Sequence, residues 1–332
     1  LYVHCYRMLG SPQDAEDALQ EALLRAWRGL PRFGQRSSLR TWLYAIATNA
    51  SLRALERGRP RVLPVDLGPA ADPHADPDAP LTEAVWVEPL PDSALPSPEP
   101  APEARYEQRE SVELAFIAAL QHLAPNQRAV LILREVLGFS AKETAQILKT
   151  TAASVNSALQ RARAAVEERV PARTQQATLR SLGDDEVREL VARYVDAWER
   201  CDVDAFAAML ADDATFAMPP MATWYRTRRG IAIWARQSPL SGDWRWRAVA
   251  TRANGQPALA FYAWDEDERA YLRFALNVLT FRDSEIANVT AFIARTIESS
   301  DPEAFERHPE QPPDPRQIAV TFERFGLPER LV

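Results

Sequence analysis

Lysine is nearly missing from this 332-residue chain: Lys142 and Lys149 are the only two, so arginine carries almost all of the positive charge. Cys5 and Cys201 are the only cysteines, far apart and outside any CxxC pair, which excludes a disulfide framework and a thiolate zinc site. The four histidines, at 4, 74, 122 and 308, are too scattered for a metal centre, and no cofactor is expected. No apolar run approaches the roughly 20 residues that cross a bilayer, and the first residues lack a basic-then-apolar export pattern. The expectation is a cytoplasmic protein that does not meet a membrane. The chain opens within a helical pattern, LYVHCYRML, which predicts that residues precede it in the natural protein.

What is present suits a multidomain protein. The length allows two or three domains, and a hydrophobic fraction of 46% is that of a globular chain. The net charge of −7 is concentrated: between Pro60 and Ala104 nine acids face only Arg61, so the remainder sums to about +1. The same stretch holds twelve of the 26 prolines. Such a composition builds no core and predicts an extended, mobile tether, with a second reading in which its charge mimics nucleic acid.

The organising stretch is 140–166. Ser140 and Glu143 make a capping box, and Ala145, Ile147 and Leu148 give the short helix that follows a buried side. After the polar break Lys149-Thr150-Thr151, Val155, Leu159, Ala162 and Val166 trace one apolar stripe on a second helix. Its other side presents Ser154, Asn156, Ser157, Gln160, Arg161 and Arg163, with no acid before Glu167. These donors and amides read base edges and phosphates when the second helix of a helix-turn-helix enters a major groove. An ordinary helical hairpin with a solvated face fits the same pattern.

Residues 1–58 read as all-helical. Ser11, Pro12 and Asp14 open a helix whose predicted inner stripe is Ala15, Ala18, Leu19, Ala22, Leu23, Ala26 and Leu30, leaving Asp14, Asp17, Gln20, Glu21, Arg25 and Arg28 outside. Four acids and no bases lie between Gly10 and Leu24, whereas nine arginines face Glu56 alone from Arg25 to Arg61. So sharp a switch favours two different partners. In the basic half a Gly-containing loop leads into a helix carrying Trp42, Tyr44 and Asn49; these aromatics either stack on unpaired bases beside arginines or belong to the core.

These motifs carry a family resemblance. DAEDALQEALLRAWRGLPRF followed by SSLRTWLYAIATNASLR resembles region 2 of the extracytoplasmic-function sigma factors, and HLAPNQRAVLILREVLGFSAKETAQIL with the helix after it resembles their region 4. The resemblance implies that Asp14, Asp17, Gln20, Glu21 and Arg25 bind core RNA polymerase at the clamp helices of its largest subunit, with region 4 meeting the flap of the second-largest. It implies that Arg36, Arg40, Trp42, Asn49 and Arg53 open and read the minus-ten element, Asn49 at a pocket for a flipped-out base. Ser154, Asn156, Ser157, Gln160, Arg161 and Arg163 would read the minus-thirty-five element. Asn156 and Ala158 stand where many family members carry arginine, which predicts weaker phosphate anchoring and adenine readout by Asn156.

Past Pro171 the chain continues. Asp184–Leu210 reads as one amphipathic helix, Asp212 and Asp213 as a turn, and strand-like runs follow at 214–218, 244–250, 258–264, 271–281 and 286–293. A helix followed by a curved antiparallel sheet is an α+β domain, and LADDATFAMPPM resembles the SnoaL-like and ketosteroid-isomerase-like cone fold. Met218 occupies the position where isomerase members place a carboxylate base, so no enzyme is expected. Trp198, Phe216, Met218, Met221, Trp224, Tyr225, Trp264 and Phe274 are the candidate lining of an apolar pocket for a small molecule, or the domain's core. Ile318, Phe322, Phe325 and Leu327 predict a terminal helix docked on the protein.

The fold class expected is therefore two all-α sigma-like domains followed by an α+β SnoaL-like domain. Region 2 is placed at 1–59, an acidic linker at 60–105, region 4 at 106–171, a second linker at 172–183, the SnoaL-like domain at 184–298 and a tail at 299–332. The function implied is promoter recognition for RNA polymerase, with the last domain as a regulatory or ligand-sensing module. The competing reading is a DNA-binding regulator fused to a SnoaL-like enzyme.

Overall fold

Gly10, at φ 70, closes helix α1 (Tyr2–Leu9), and Ser11 caps α2 (Pro12–Gly29), its Oγ accepting from the Asp14 amide at 3.2 Å. In the computed structural model, which describes residues 1–34, 37–75, 77, 86–95, 109–293 and 321–332, these helices begin the first of two compact units. That unit comprises Leu1–Val62, Val85–Leu90 and Ala94–Ala172; the second comprises Leu63–Ala84, Pro91–Ser93 and Arg173–Val332.

In the first unit α1 is buried along its whole length from Val3 to Leu9, clasped by α2 and by α3 (Leu39–Arg57). The stripe that α2 buries is only alanine, Ala15, Ala18, Ala22 and Ala26, so the helices approach closely; Leu23 and Leu30, expected inside, are about half exposed. Helices α4 (Leu114–Gln121) and α5 (Pro125–Leu131), a π-helical turn (Ile132–Val136), α6 (Ala141–Leu148) and α7 (Ala152–Glu167) complete the unit. Two buried arginines join its halves. Arg7 donates to the Ser111 carbonyl at 3.0 Å and to its hydroxyl at 2.5 Å, and Arg128 donates to the carbonyls of Met8 at 2.5 Å and Gln121 at 2.9 Å. Burial lowers both guanidinium pKa values to about 10, yet both stay charged.

The expected free tether is not found where the stretch is described. Val87 and Leu90 are fully buried in the first unit, Val62 bridges Trp86, and Glu88 accepts from Ser11 Oγ at 2.9 Å and from Arg61 at 3.0 Å. Asp14 accepts from Arg61 at 2.5 Å, so its carboxylate turns outward from the helix it begins. In the second unit the Trp224 indole donates to the Gly68 carbonyl at 3.0 Å, and Asp92 accepts from Arg252 at 3.0 Å and from the Gly255 amide at 2.7 Å. The acidic balance hid a few apolar residues and carboxylates that each have a defined seat.

The second unit starts earlier than expected, with α8 (Gln175–Leu182) capped by Thr174 in the stretch read as a linker. Gln175 is buried there and holds Phe281, accepting from its amide at 2.5 Å and donating to its carbonyl at 3.2 Å. The long helix expected over 184–210 is two, α9 (Asp184–Glu199) and α10 (Val203–Ala208), broken at Cys201 with φ 53 and restarted by the Asp202 cap.

The sheet contains β1 (Leu210–Ala217), β2 (Trp224–Arg226), β3 (Trp246–Ala253), β4 (Gln256–Asp265), β5 (Ala270–Arg282), β6 (Glu285–Ile293) and β7 (Arg330–Leu331), with α11 (Arg228–Gln237) after β2. Its order is β2-β1-β6-β5-β4-β3, and β7 pairs with the start of β5. It is mixed, not purely antiparallel, because β1 runs parallel to β6 (Phe216 opposite Val289). Asp212 and Asp213 lie on β1 instead of a turn; Arg228 is 3.1 Å from Asp212, and Arg282 pairs with Asp213 and lowers its pKa. Leu190, Tyr194 and Trp198 of α9 pack over the concave aromatic face made by Phe216, Trp246 and Phe261. At the other end Phe322 is fully buried on Tyr262, and Tyr262 donates to the Pro328 carbonyl at 2.9 Å. Ile318 lies outside the described residues.

Candidate functional sites: three helical faces and a cavity

On α2, Asp17, Gln20 and Arg25 are exposed as expected. Asp14 is taken by Arg61, and Glu21 lies 2.5 Å from Arg25 and 3.6 Å from Arg53, so both carboxylates are engaged within the unit. The same face carries Leu24, 53% exposed, and Trp27, 77% exposed, beside Leu23 and Leu30. The sequence reading missed them as site residues. Trp27 follows Gln20 and Leu24 at helical spacing, a signal that lies beside the apolar stripe of the same helix. An apolar ridge flanked by acids on a soluble helix marks a surface made for a protein partner.

On α3, capped by Ser38 through the Thr41 amide at 3.0 Å, the candidate residues make contacts of their own. The Arg40 guanidinium lies 4.1 Å from the Phe139 ring centroid and donates to the Leu137 carbonyl at 2.6 Å. Tyr44 packs edge-on against both His4 and Phe139, and Trp42 packs on Phe33. Asn49 donates to the Ala45 carbonyl at 2.6 Å. Arg36 lies outside the described residues. Beneath this helix His4 bonds Thr48 at 2.9 Å, and full burial, with Arg7 nearby, lowers its pKa to about 3.

The third face is the expected helix-turn-helix. Ser140 and Glu143 form both halves of the capping box, Lys149 turns the chain at φ 53, and Thr151 caps α7 through the Ser154 amide at 3.1 Å. Val155, Leu159 and Ala162 are buried, while Ser154, Asn156, Ser157, Gln160, Arg161 and Arg163 are all exposed. Arg163 is held by Glu135 at 2.7 Å, and Arg161 is the other exposed basic side chain of this set.

In the second unit a cavity of about 180 Å³ opens between α9, α11 and the sheet. Of the expected lining, Trp198, Phe216, Met218, Met221 and Phe274 take part. The other three do not: Trp224 bonds Gly68, Tyr225 is buried in a stack on Trp234, and Trp264 packs against Tyr271 and Arg245. Trp234, Trp244, Trp246 and Asn277 were missed. Ile231, Trp234 and Ala235, buried at helical spacing after the Thr227 cap, carried the signal for α11, and Trp244 and Trp246 share a parity that turns both inward, where they stack at 5.2 Å. Every lining side chain among the described residues is uncharged, Met218 included.

Three family models match successive parts of the chain. Residues 1–61 match the model of Sigma-70 region 2, residues 113–166 that of Sigma-70 region 4, and residues 191–289 that of the SnoaL-like domain. The ECF RNA polymerase sigma factor SigG of Mycobacterium tuberculosis is 43% identical over 336 aligned residues, covering 100% of this chain and 82% of that protein. The RNA polymerase sigma-H factor of Pseudomonas aeruginosa is 33% identical over 163 residues, 49% of this chain and 76% of its own. The crystal structure of the Mycobacterium tuberculosis sigma factor SigJ shares the fold, with a TM-score of 0.54 at 21% identity over 93% of this chain and 95% of that one.

Proposed function

We propose how a chain that belongs to the extracytoplasmic-function sigma factors, as this one does, uses each of these surfaces. It binds core RNA polymerase in the cytoplasm and directs it to promoters. The α2 face is the polymerase surface: Asp17 and Gln20 give polar specificity, and Leu24 and Trp27 supply the apolar anchor. Asp14 and Glu21 orient the neighbouring arginines, and Arg25 borders the patch. The clamp helices of the largest subunit are the proposed partner there, and the flap of the second-largest the partner of region 4.

The observation that carries the reading is α7, an N-capped second helix whose outer face has six hydrogen-bonding side chains and no acid before Glu167. It reads the minus-thirty-five element in the major groove. The α3 helix reads the minus-ten element after strand opening, with Arg40, Trp42, Asn49 and Arg53 as its contacts and Arg36, earlier in the sequence, as a further one. Extracting a base from the stack costs a few kcal/mol, which aromatic stacking offsets.

The two elements are separated by on the order of 70 Å of duplex at 3.4 Å per base pair. Packing of Arg40 and Tyr44 on Phe139 therefore belongs to a closed form that opens when both elements are read. The SnoaL-like unit is proposed as a regulatory module without acid–base chemistry, since Met218 and the other lining groups neither accept nor donate a catalytic proton. The test is transcription in vitro from a genomic fragment library with core polymerase, with and without the protein. New starts sharing two upstream elements are expected; no binding to core would sink the reading.

A further inference from the structure

Three polar atoms stand out in the cavity's wall: the indole nitrogens of Trp198, 4% exposed, and of Trp234, and the Oδ1 of Asn277. Trp234 is 5% exposed, and its indole nitrogen has no acceptor among the described residues; Asn277 is 1% exposed, and its Oδ1 has no donor. The rest of the wall is tidier. Trp246 donates its indole hydrogen to the Pro239 carbonyl at 2.7 Å, and the Asn277 amide nitrogen donates to the Tyr194 hydroxyl at 3.1 Å. Buried groups without partners are rare in folded proteins, and each forfeits hydrogen bonding it would have in water. Two donors and one acceptor left open in a single apolar chamber describe what its occupant must bring.

We propose that the cavity binds a neutral molecule of single-ring size bearing a hydroxyl, or another group that both donates and accepts. The hydroxyl hydrogen goes to Asn277 Oδ1 and its oxygen accepts from Trp234 Nε1. Size follows from the volume, since an apolar cavity of about 150 Å³ is known to hold benzene. Neutrality follows from the lining, in which, among the described residues, no arginine, lysine or histidine waits for an anion and no carboxylate waits for a cation. The ring lies among Trp198, Phe216, Trp246 and Phe274. Pro77 also lines the chamber.

This inference rests on the reading of the unit as a sensing module, and two readouts on the full chain separate them. In the first, quenching of tryptophan fluorescence is titrated with p-cresol, toluene and p-toluate. Saturable p-cresol binding about tenfold tighter than toluene is expected, the scale of one or two net hydrogen bonds, with p-toluate weakest of the three. Trp234→Phe and Asn277→Leu should bring p-cresol down to the affinity of toluene and leave toluene within about twofold. Trp234→Phe decides the matter if loss of the Tyr194 bond unfolds Asn277→Leu. Equal affinity for p-cresol and toluene, preference for p-toluate, or no saturable binding of p-cresol overturns the proposal. The second readout is transcript yield at saturating p-cresol. Selective binding with unchanged yield supports the ligand class and refutes the sensing role, whereas a changed yield without selectivity does the reverse.

Discussion

Arg40 lies 4.1 Å from the ring centroid of Phe139, ninety-nine residues away in sequence, and one of its nitrogens donates to the Leu137 carbonyl at 2.6 Å. A side chain proposed to hold melted DNA is therefore occupied by the turn that precedes the helix-turn-helix. Arg40→Ala should remove a contact of about 1–2 kcal/mol and lower the melting temperature of the unit by a few degrees. Permanganate footprinting should show reduced strand opening. Arg40→Lys keeps the charge and loses the planar fork, and should recover DNA affinity more fully than it recovers the melting temperature.

Trp27 offers a cleaner separation of folding from binding. It is 77% exposed, so Trp27→Ala should leave thermal stability unchanged within a degree or so. Affinity for core polymerase should fall at least tenfold, as for an aromatic anchor at the centre of an interface. Asp17→Lys should act in the same direction, mainly through the association rate and with a strong dependence on salt.

On α7 the two arginines should differ. Arg161→Ala is expected to weaken binding to the minus-thirty-five duplex uniformly across sequences and to reduce the salt slope by about one. Arg163 is shared with Glu135 at 2.7 Å, so Glu135→Gln should raise non-specific DNA affinity by freeing it. Asn156→Ala should relax the sequence preference at one base pair, by about 1–3 kcal/mol, in a binding-site selection experiment.

His4 gives the first unit a pH dependence with a definite sign. Its folded pKa is lowered to about 3 by burial, against about 6.5 in the unfolded chain. The contribution is complete above pH 6.5 and falls as the pH drops towards 3, because only the unfolded state takes up the proton in that interval. Urea midpoints between pH 6.5 and 5, where carboxylates stay ionised, should report a loss approaching about 1.4 kcal/mol per pH unit. A His4→Gln variant should be flat over that interval.

Periodicity found the capped helices because caps and stripes are local. Ser11, Ser140, Thr151 and the buried face of Val155, Leu159 and Ala162 depend on residues within four positions of one another. What the sequence concealed depends on distant partners. Leu23 and Leu30 read as core because an alanine stripe and a leucine stripe have the same period, and only the close approach of α1 and α3 decides between them. Charge misled at 60–105, where Val87 and Leu90 are outnumbered by acids and prolines yet fully buried. In the cavity, parity predicts which strand residues turn inward, but Trp224, Tyr225 and Trp264 are diverted by Gly68, Trp234 and Tyr271. The open atoms of Trp234 and Asn277 are a property of the assembled wall, with no trace in either residue's neighbours in sequence.

The parallel pairing of β1 with β6 sets a schedule for synthesis. Thr215 donates to Asn288 at 2.8 Å across 73 residues, so β1 waits for its neighbour until almost the whole sheet has been translated. At 5–20 residues per second that delay is roughly 4–15 s, during which Phe216 and the inward tryptophans have no closed chamber to occupy. The helices that read DNA are complete before this interval begins. A nascent chain thus carries finished promoter-reading helices for seconds before the module that we propose regulates them exists.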